Sequence, residues 1–245
     1  MKKQNDPISP PAKELPHRLC RLPRSTTEQQ ASPVYLHDMT WRIFRIMAEF
    51  VEGFEFLSQT SREITFFGSA RLPSTSRWYK EAEKLAGMLG KCGFTIITGG
   101  GPGIMEAANK GATEAGAMSV GLNIELPREQ RQNEYVQRGK GFHYFFTRKV
   151  MLSASSQAYI YFPGGIGTLN EFFEIIELIQ TEKMQRIPVV LVGKEFWSGF
   201  MDWSRKALLK EQQLVDEEDL HLFHIVDTAE EAFDLVSDTP ERTLF

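Results

Sequence analysis

Cysteine is scarce: Cys20 and Cys92 are the two thiols in 245 residues. Two thiols so far apart make neither a disulfide framework nor a metal cluster. Cys20 reads as a free thiol in an N-terminal tail, Cys92 as a small core residue in a helix. Long apolar runs are missing too, and nothing approaches the roughly 18 unbroken apolar residues of a membrane helix. The start, Met1-Lys2-Lys3-Gln4-Asn5-Asp6-Pro7, is basic but leads into no apolar segment, so it does not read as a secretory signal. The expected compartment is cytoplasmic, with no membrane contact. Charge of one sign is also lacking: a net −4 gives no pull toward nucleic acid, and none is expected as a partner. His17, His37, His143, His221 and His224 have no metal-ligand spacing, so no metal is called for. The P-loop pattern G-x-x-x-x-G-K-[ST] is absent, which removes the usual frame for phosphoryl transfer. Ser153, Ser155 and Ser156 form no nucleophile elbow.

What is present is an ordinary globular composition, 42% hydrophobic and 24% charged. Residues 1–32 hold five of the 12 prolines and six Lys or Arg against three acids. Such a segment cannot bury enough apolar surface to offset ordering. Residues 1–37 are therefore expected to be a flexible arm, and residues 38–245 a single domain. Asp38 is the expected N-cap of a helix carrying Met39, Ile43, Ile46, Met47, Phe50, Phe54 and Leu57 on one face. Arg42, Arg45, Glu49 and Glu52 take the other face, with Arg45 and Glu49 spaced for a weak pair. The apolar face either covers the domain or meets a second subunit, so a homodimer or larger homo-oligomer is expected.

Strands and helices then alternate. Strands are expected at 63–67, 94–98, 118–122, 142–146, 158–162, 187–192 and 222–226. Helices are expected at 76–91, 104–115, 148–156, 169–181 and 196–210, and Asp227-Thr228-Ala229-Glu230 reads as a capping box opening a last one. Short runs such as Ile187-Pro188-Val189-Val190-Leu191-Val192 fit strands buried on both faces. The fold class is α/β: a Rossmann-like, doubly wound parallel sheet with helices on both faces. The many aromatics track strands and helix faces, and core packing is their expected role.

In such sheets ligands bind beyond the carboxyl ends of the strands. Gly68-Ser69-Ala70-Arg71 follows the first strand and Gly99-Gly100-Gly101-Pro102-Gly103 the second. Asn123-Ile124-Glu125 follows the third, and Pro163-Gly164-Gly165-Ile166-Gly167-Thr168 follows the strand at 158–162. Gly68, Ser69, Gly100, Gly101, Gly103, Gly164, Gly165 and Gly167 are the candidate phosphate contacts, because glycine lets backbone amides approach an anion. The helix opened by the last loop adds unpaired N–H groups and a positive dipole end. Thr168 can add a hydroxyl. Glu171 stands about one turn, roughly 5 Å, into that helix, about a ribose away from a bound phosphate. The alternative is that Glu171 only complements the helix dipole. A dinucleotide fingerprint is a rival for the first glycine loop, with Glu125 as its ribose acid, but the third glycine is missing and the second loop is left unexplained.

Two segments carry a resemblance, Gly99-Gly100-Gly101-Pro102-Gly103-Ile104-Met105-Glu106-Ala107-Ala108-Asn109 and Pro163-Gly164-Gly165-Ile166-Gly167-Thr168-Leu169-Asn170-Glu171. With Thr147-Arg148-Lys149-Val150-Met151, they resemble the Lonely Guy family of nucleotide phosphoribohydrolases, often labelled lysine decarboxylases. The resemblance covers about residues 62–237 and leaves the first 60 unexplained. It implies hydrolysis of the N-glycosidic bond of a nucleoside 5′-monophosphate, AMP-like or a cytokinin riboside monophosphate. Base and ribose 5-phosphate are the implied products, and no cofactor is implied. It puts the catalytic pair on Arg148 and Glu171 and adds Glu106 to the substrate-binding set. Lys149, next to Arg148, is expected to be solvated. Two positions depart from the family pattern: Asn170 stands where relatives commonly carry an acid, and Glu106 where the plant-type enzymes carry glycine. The same fold and loop occur in molybdenum-cofactor carriers, so a non-enzymatic nucleotide or cofactor binder is the alternative. A pyridoxal-phosphate decarboxylase would need a Schiff-base lysine, and none is identifiable.

Overall fold

The computed structural model describes residues 33–125 and 132–242. The expected arm, with Cys20 and His17, lies outside them up to residue 32. The chain divides into two units, residues 1–45 and 46–245, and the sheet and every described helix after residue 57 belong to the second.

Seven parallel strands run in the order β4-β3-β2-β1-β5-β6-β7. They are β1 (Glu63–Phe67), β2 (Thr95–Thr98), β3 (Ser119–Ile124), β4 (Arg138–Phe142), β5 (Ala158–Tyr161), β6 (Val189–Val192) and β7 (His224–Val226). The doubly wound parallel sheet is as the alternation predicts. Every residue of β1, β2, β5 and β6 is buried, as in a parallel sheet covered on both faces; β6 is apolar throughout, while β1 and β2 also bury Glu63, Thr65, Thr95 and Thr98.

The helices are α1 (Pro33–Leu57), α2 (Arg77–Lys91), α3 (Ile104–Glu114), α4 (Phe145–Ala154), α5 (Ile166–Gln180), α6 (Lys194–Trp203) and α7 (Ala229–Val236). Alternate side chains of β1, β2, β5 and β6 feed two cores. Ile64, Phe66 and Ile160 pack with Ala82, Leu85 and Leu89 of α2, Ala107 and Ala112 of α3 and Ala232 of α7. Phe67, Tyr159 and Tyr161 pack on the other face with Met151 of α4, Phe172 and Ile175 of α5 and Trp197 of α6. Ser76 caps α2, its hydroxyl accepting from the Trp78 amide at 3.3 Å. Gly93 ends that helix in a left-handed conformation, φ +84°.

Several expectations are corrected. The strand expected at 142–146 is instead β4 at 138–142, and Phe145 and Phe146 belong to α4, which starts three residues before the expected Arg148. Arg138-Gly139-Lys140-Gly141 has no apolar pattern, and its strand state comes from pairing with β3. Asp38 is not an N-cap but a residue inside α1, which Pro33 opens; proline's fixed φ suits a first helical turn. The cap of α7 is Thr228, whose hydroxyl oxygen accepts from the Glu231 amide, while Asp227 pairs with Arg77 at 2.8 Å. Cys92 is exposed at the end of α2 rather than in the core.

The buried stripe of the C-terminal half of α1 also differs from expectation. Glu49 and Gly53 are buried, whereas Met47 and Val51 are exposed. Glu49 does not pair with Arg45: its carboxylate accepts hydrogen bonds from the α4 end of the structure instead.

Candidate active site

The strand order reverses between β1 and β5, the point where doubly wound sheets bind ligands. A cleft of about 780 Å³ opens there, in the range of small-molecule sites. Its wall is made by the loops after β1 and β5, with Gly99 at the end of β2 and Ile124 at the end of β3. Ser69 fastens these loops together. Its amide donates to the Pro163 carbonyl at 3.0 Å, and its carbonyl accepts from the Ile104 amide at 3.1 Å. Its hydroxyl oxygen accepts from the Arg71 amide, also at 3.1 Å.

Helix α5 begins at Ile166, three residues earlier than the sequence pattern indicates, with Gly165 as its N-cap. The amides of Ile166, Gly167 and Thr168 therefore form a first helical turn, whose N–H groups have no intrahelical acceptor. Gly164 is fixed by packing, because a Cβ there would strike the side chain of Thr168. Gly165 and Gly167 differ: a Cβ on either would meet nothing within 4 Å. Their missing side chains leave the helix amides open to the cleft.

Arg148 and Glu171 meet across this cleft. Arg148 Nη1 lies 3.6 Å from Glu171 Oε1, with side-chain exposures of 11% and 17%. Arg148 Nε donates to the Leu122 carbonyl at 2.7 Å, and its guanidinium rests against Gly99, where any Cβ would collide with Nη2. Burial pushes the guanidinium below its ordinary pKa, and the Glu171 charge opposes that. Burial likewise pushes the Glu171 carboxyl up, opposed by Arg148 and Lys149 and reinforced by Glu174. Glu171 is the sixth residue of α5, about 7–8 Å along its axis, so it is not a first-turn acid. Dipole complementation fades within the first turn and does not account for it.

The first glycine loop sits differently. Gly100, Gly101, Gly103 and Glu106 are not among the residues lining the cleft. The Gly100 amide donates to the Thr98 hydroxyl, and the Gly100 and Gly101 carbonyls accept from the Asn133 backbone and side chain. Gly103, at φ +70°, lies so close to the Ser69 carbonyl that a Cβ would collide with it. Glu106 accepts from the Tyr79 hydroxyl at 3.0 Å. Gly68, Ser69, Gly164, Gly165, Gly167, Thr168, Arg148 and Glu171 all line the cleft.

Arg71, Phe145 and Phe196 also line it, and the sequence reading did not include them. Phe145 and Phe196 are partly exposed there, so not every aromatic serves the core. Locating the start of α4 at Phe145 is the signal that finds the first. Lys149 is not simply solvated: its Nζ lies 2.5 Å from Glu174 Oε2, with 24% of the side chain exposed. Glu125 is 3.6 Å from His143 Nδ1 and does not line the cleft.

Residues 105–236, more than half the chain, match the family model described as "Possible lysine decarboxylase", a label carried by the Lonely Guy family. The chain belongs to this family. Among relatives of this Lonely Guy chain is an uncharacterized protein of Archaeoglobus fulgidus, 29% identical over 116 residues, 47% of this chain and 75% of that one. Another is a probable cytokinin riboside 5′-monophosphate phosphoribohydrolase, LOGL6, of Oryza sativa subsp. japonica, 25% identical over 185 residues. That match spans 74% of this chain and 72% of the rice protein. The molybdenum cofactor carrier protein of Chlamydomonas reinhardtii aligns with a TM-score of 0.55 and 22% identity over 73% of this chain and 98% of its own. The molybdenum cofactor binding protein of Rippkaea orientalis gives 0.52 and 21%, over 71% and 93%. The two structural likenesses show the shared fold.

Proposed function

We propose that the protein hydrolyses the N-glycosidic bond of a nucleoside 5′-monophosphate, releasing the base and ribose 5-phosphate. The observation that carries this reading is the enclosed Arg148–Glu171 pair, set one and a half turns from the open amides of α5. A phosphate at the amides of Ile166, Gly167 and Thr168 leaves the sugar beside Glu171. As the base departs with the bonding pair, positive charge develops at the sugar carbon. The Glu171 carboxylate stabilises that charge and accepts a proton from the attacking water, and that proton ends on the released base. Burial raises its proton affinity, which suits a general base. Arg148 holds the carboxylate and has donors left for the phosphate, since only Nε is hydrogen-bonded among the described residues. AMP-like nucleotides and cytokinin riboside monophosphates are the substrate class, and the rice relative's name supports the latter.

A non-enzymatic binder or carrier needs the loop but has no use for a buried carboxylate–arginine pair beside it; the Chlamydomonas protein is named a molybdenum cofactor carrier and the Rippkaea protein a molybdenum cofactor binding protein. A Schiff-base decarboxylase is disfavoured, because no lysine lines the cleft among the described residues. Incubation with a panel of nucleoside monophosphates, scored for free base by chromatography, tests the reading. Release of base supports it; tight nucleotide binding without release favours the carrier.

We also infer a homodimer or larger homo-oligomer. Met47 and Val51 of α1 are each more than half exposed, and exposed apolar side chains of this kind normally mark an interface. No described helix is long and apolar enough to cross a membrane.

A further inference from the structure

Helix α4 carries Arg148 in its first turn, yet Tyr144 at its N-cap position supplies no capping side chain. An uncapped helix start leaves amides without acceptors. One carboxylate of α1 instead holds the two amides just ahead of the helix and the hydroxyl of its third residue. Glu49 Oε1 accepts from the His143 amide at 2.9 Å, and Oε2 accepts from the Tyr144 amide at 3.3 Å. The Thr147 hydroxyl lies 2.6 Å from Oε2 and 2.8 Å from the Tyr144 carbonyl and shares its one proton between the two acceptors. Glu49 is 8% exposed, and Thr147 is fully buried.

Burying a carboxylate acts to raise its pKa. Here the Thr147 hydroxyl, the two amides and His143 outweigh burial, and the Glu49 carboxyl is held below its ordinary value. The charge also sits at the positive end of the α4 dipole. One turn further along α1, a Cβ on Gly53 would collide with the Met151 side chain of α4, so the two helices are in close contact there. Arg148 is thus tethered twice: its backbone follows Thr147, held by Glu49, and its guanidinium is held by the Leu122 carbonyl.

We propose that Glu49 is a positioning residue for Arg148: the helix preceding the sheet, through this one carboxylate, sets the start of α4 and with it the guanidinium that faces Glu171. The inference rests on the proposed reading of the cleft for its effect on turnover, and on geometry alone for its effect on Arg148. Glu49→Gln keeps the volume, but its amide can neither carry the charge nor accept from all three donors.

The test combines two measurements on the full-length protein. In NMR spectra, the Arg148 Nε–H should exchange with solvent about tenfold faster in Glu49→Gln. The indole Nε1–H of Trp197, bonded to the Val192 carbonyl at 3.2 Å in the core, should not change and reports an intact fold. In a double-mutant cycle on AMP turnover, Glu49→Gln should lower kcat/KM about tenfold or more alone, but less than about twofold in an Arg148→Ala background. Equal losses in both backgrounds, or an unchanged Arg148 Nε–H beside an unchanged Trp197, overturn the proposal. If Glu49→Gln does not fold, Thr147→Val removes the hydroxyl contact to Glu49 together with the one to the Tyr144 carbonyl and is held to the same two criteria. A wild type that never releases base overturns the hydrolase reading, and the NMR comparison then decides the role of Glu49 independently.

Discussion

Arg148 Nη1 and Glu171 Oε1 stand 3.6 Å apart, an ion pair too long for a hydrogen bond, with both side chains nearly withdrawn from solvent. Withdrawal makes each charge costly, so the pair is held by charge and leaves its hydrogen-bonding capacity for something else.

The raised pKa of Glu171 fixes the sign of a pH effect. A carboxyl lifted above the ordinary 4.5 loses its ionised form at a higher pH than an exposed glutamate does. If the carboxylate is the active form, kcat/KM should fall as pH drops through that raised value, and Glu171→Gln should lack this limb. Between the ordinary and raised values the native chain binds more protons than the unfolded one, so this group's contribution to stability declines as pH rises. A pH–rate profile of wild type that is flat down to the ordinary carboxylate range contradicts the assignment.

Gly167→Ala separates a phosphate loop from a merely tight turn. A Cβ there meets nothing within 4 Å, so Tm should not fall, and helix propensity favours alanine by up to about 1 kcal/mol. Nucleotide affinity should nevertheless drop on the order of tenfold, because the methyl intrudes where the amides receive phosphate. In wild type, AMP should be cleaved far better than adenosine, since binding of the remote phosphate positions the bond to be broken. Unchanged affinity in Gly167→Ala together with equal cleavage of AMP and adenosine removes the phosphate site from this loop.

For assembly, light scattering across a dilution series should give at least twice the 28.0 kDa chain mass. Met47→Glu and Val51→Glu together should shift the particle toward monomer, because charge placed in an apolar interface is costly. A wild type that is monomeric at every concentration contradicts the inference drawn from α1.

The sheet was legible because its buried strands carry apolar clusters such as Phe66-Phe67, Ile96-Ile97 and Val189-Val190-Leu191-Val192 between helical segments. The two glycine loops were legible because each obeys a local rule: Gly103 needs a left-handed backbone, and Gly164 must clear Thr168. What escaped the sequence is what depends on distant partners. β4 is made by its pairing with β3 through Arg138-Gly139-Lys140-Gly141, with no periodicity of its own. The start of α4 depends on Glu49, which lies 96 to 98 positions before Phe145 and Thr147 in sequence and reads there as one more acid on a polar helix face. Missing that start hid Phe145 from the cleft, and a helix start placed at Leu169 rather than Ile166 made Glu171 look like a first-turn acid.

The most direct test is Glu171→Gln, assayed for AMP binding by calorimetry and for base release by chromatography. Glutamine keeps the helix and nearly all the volume but removes the charge. The loop amides and Thr168 remain, so affinity should change little or tighten through lost repulsion, while turnover should fall about 10²–10⁴-fold. Arg148→Ala should also lower turnover, and the double variant should be little worse than the worse single one, because the two act as a unit. If Glu171→Gln retains most of the wild-type hydrolysis, the buried carboxylate is not catalytic and the account of this site is wrong.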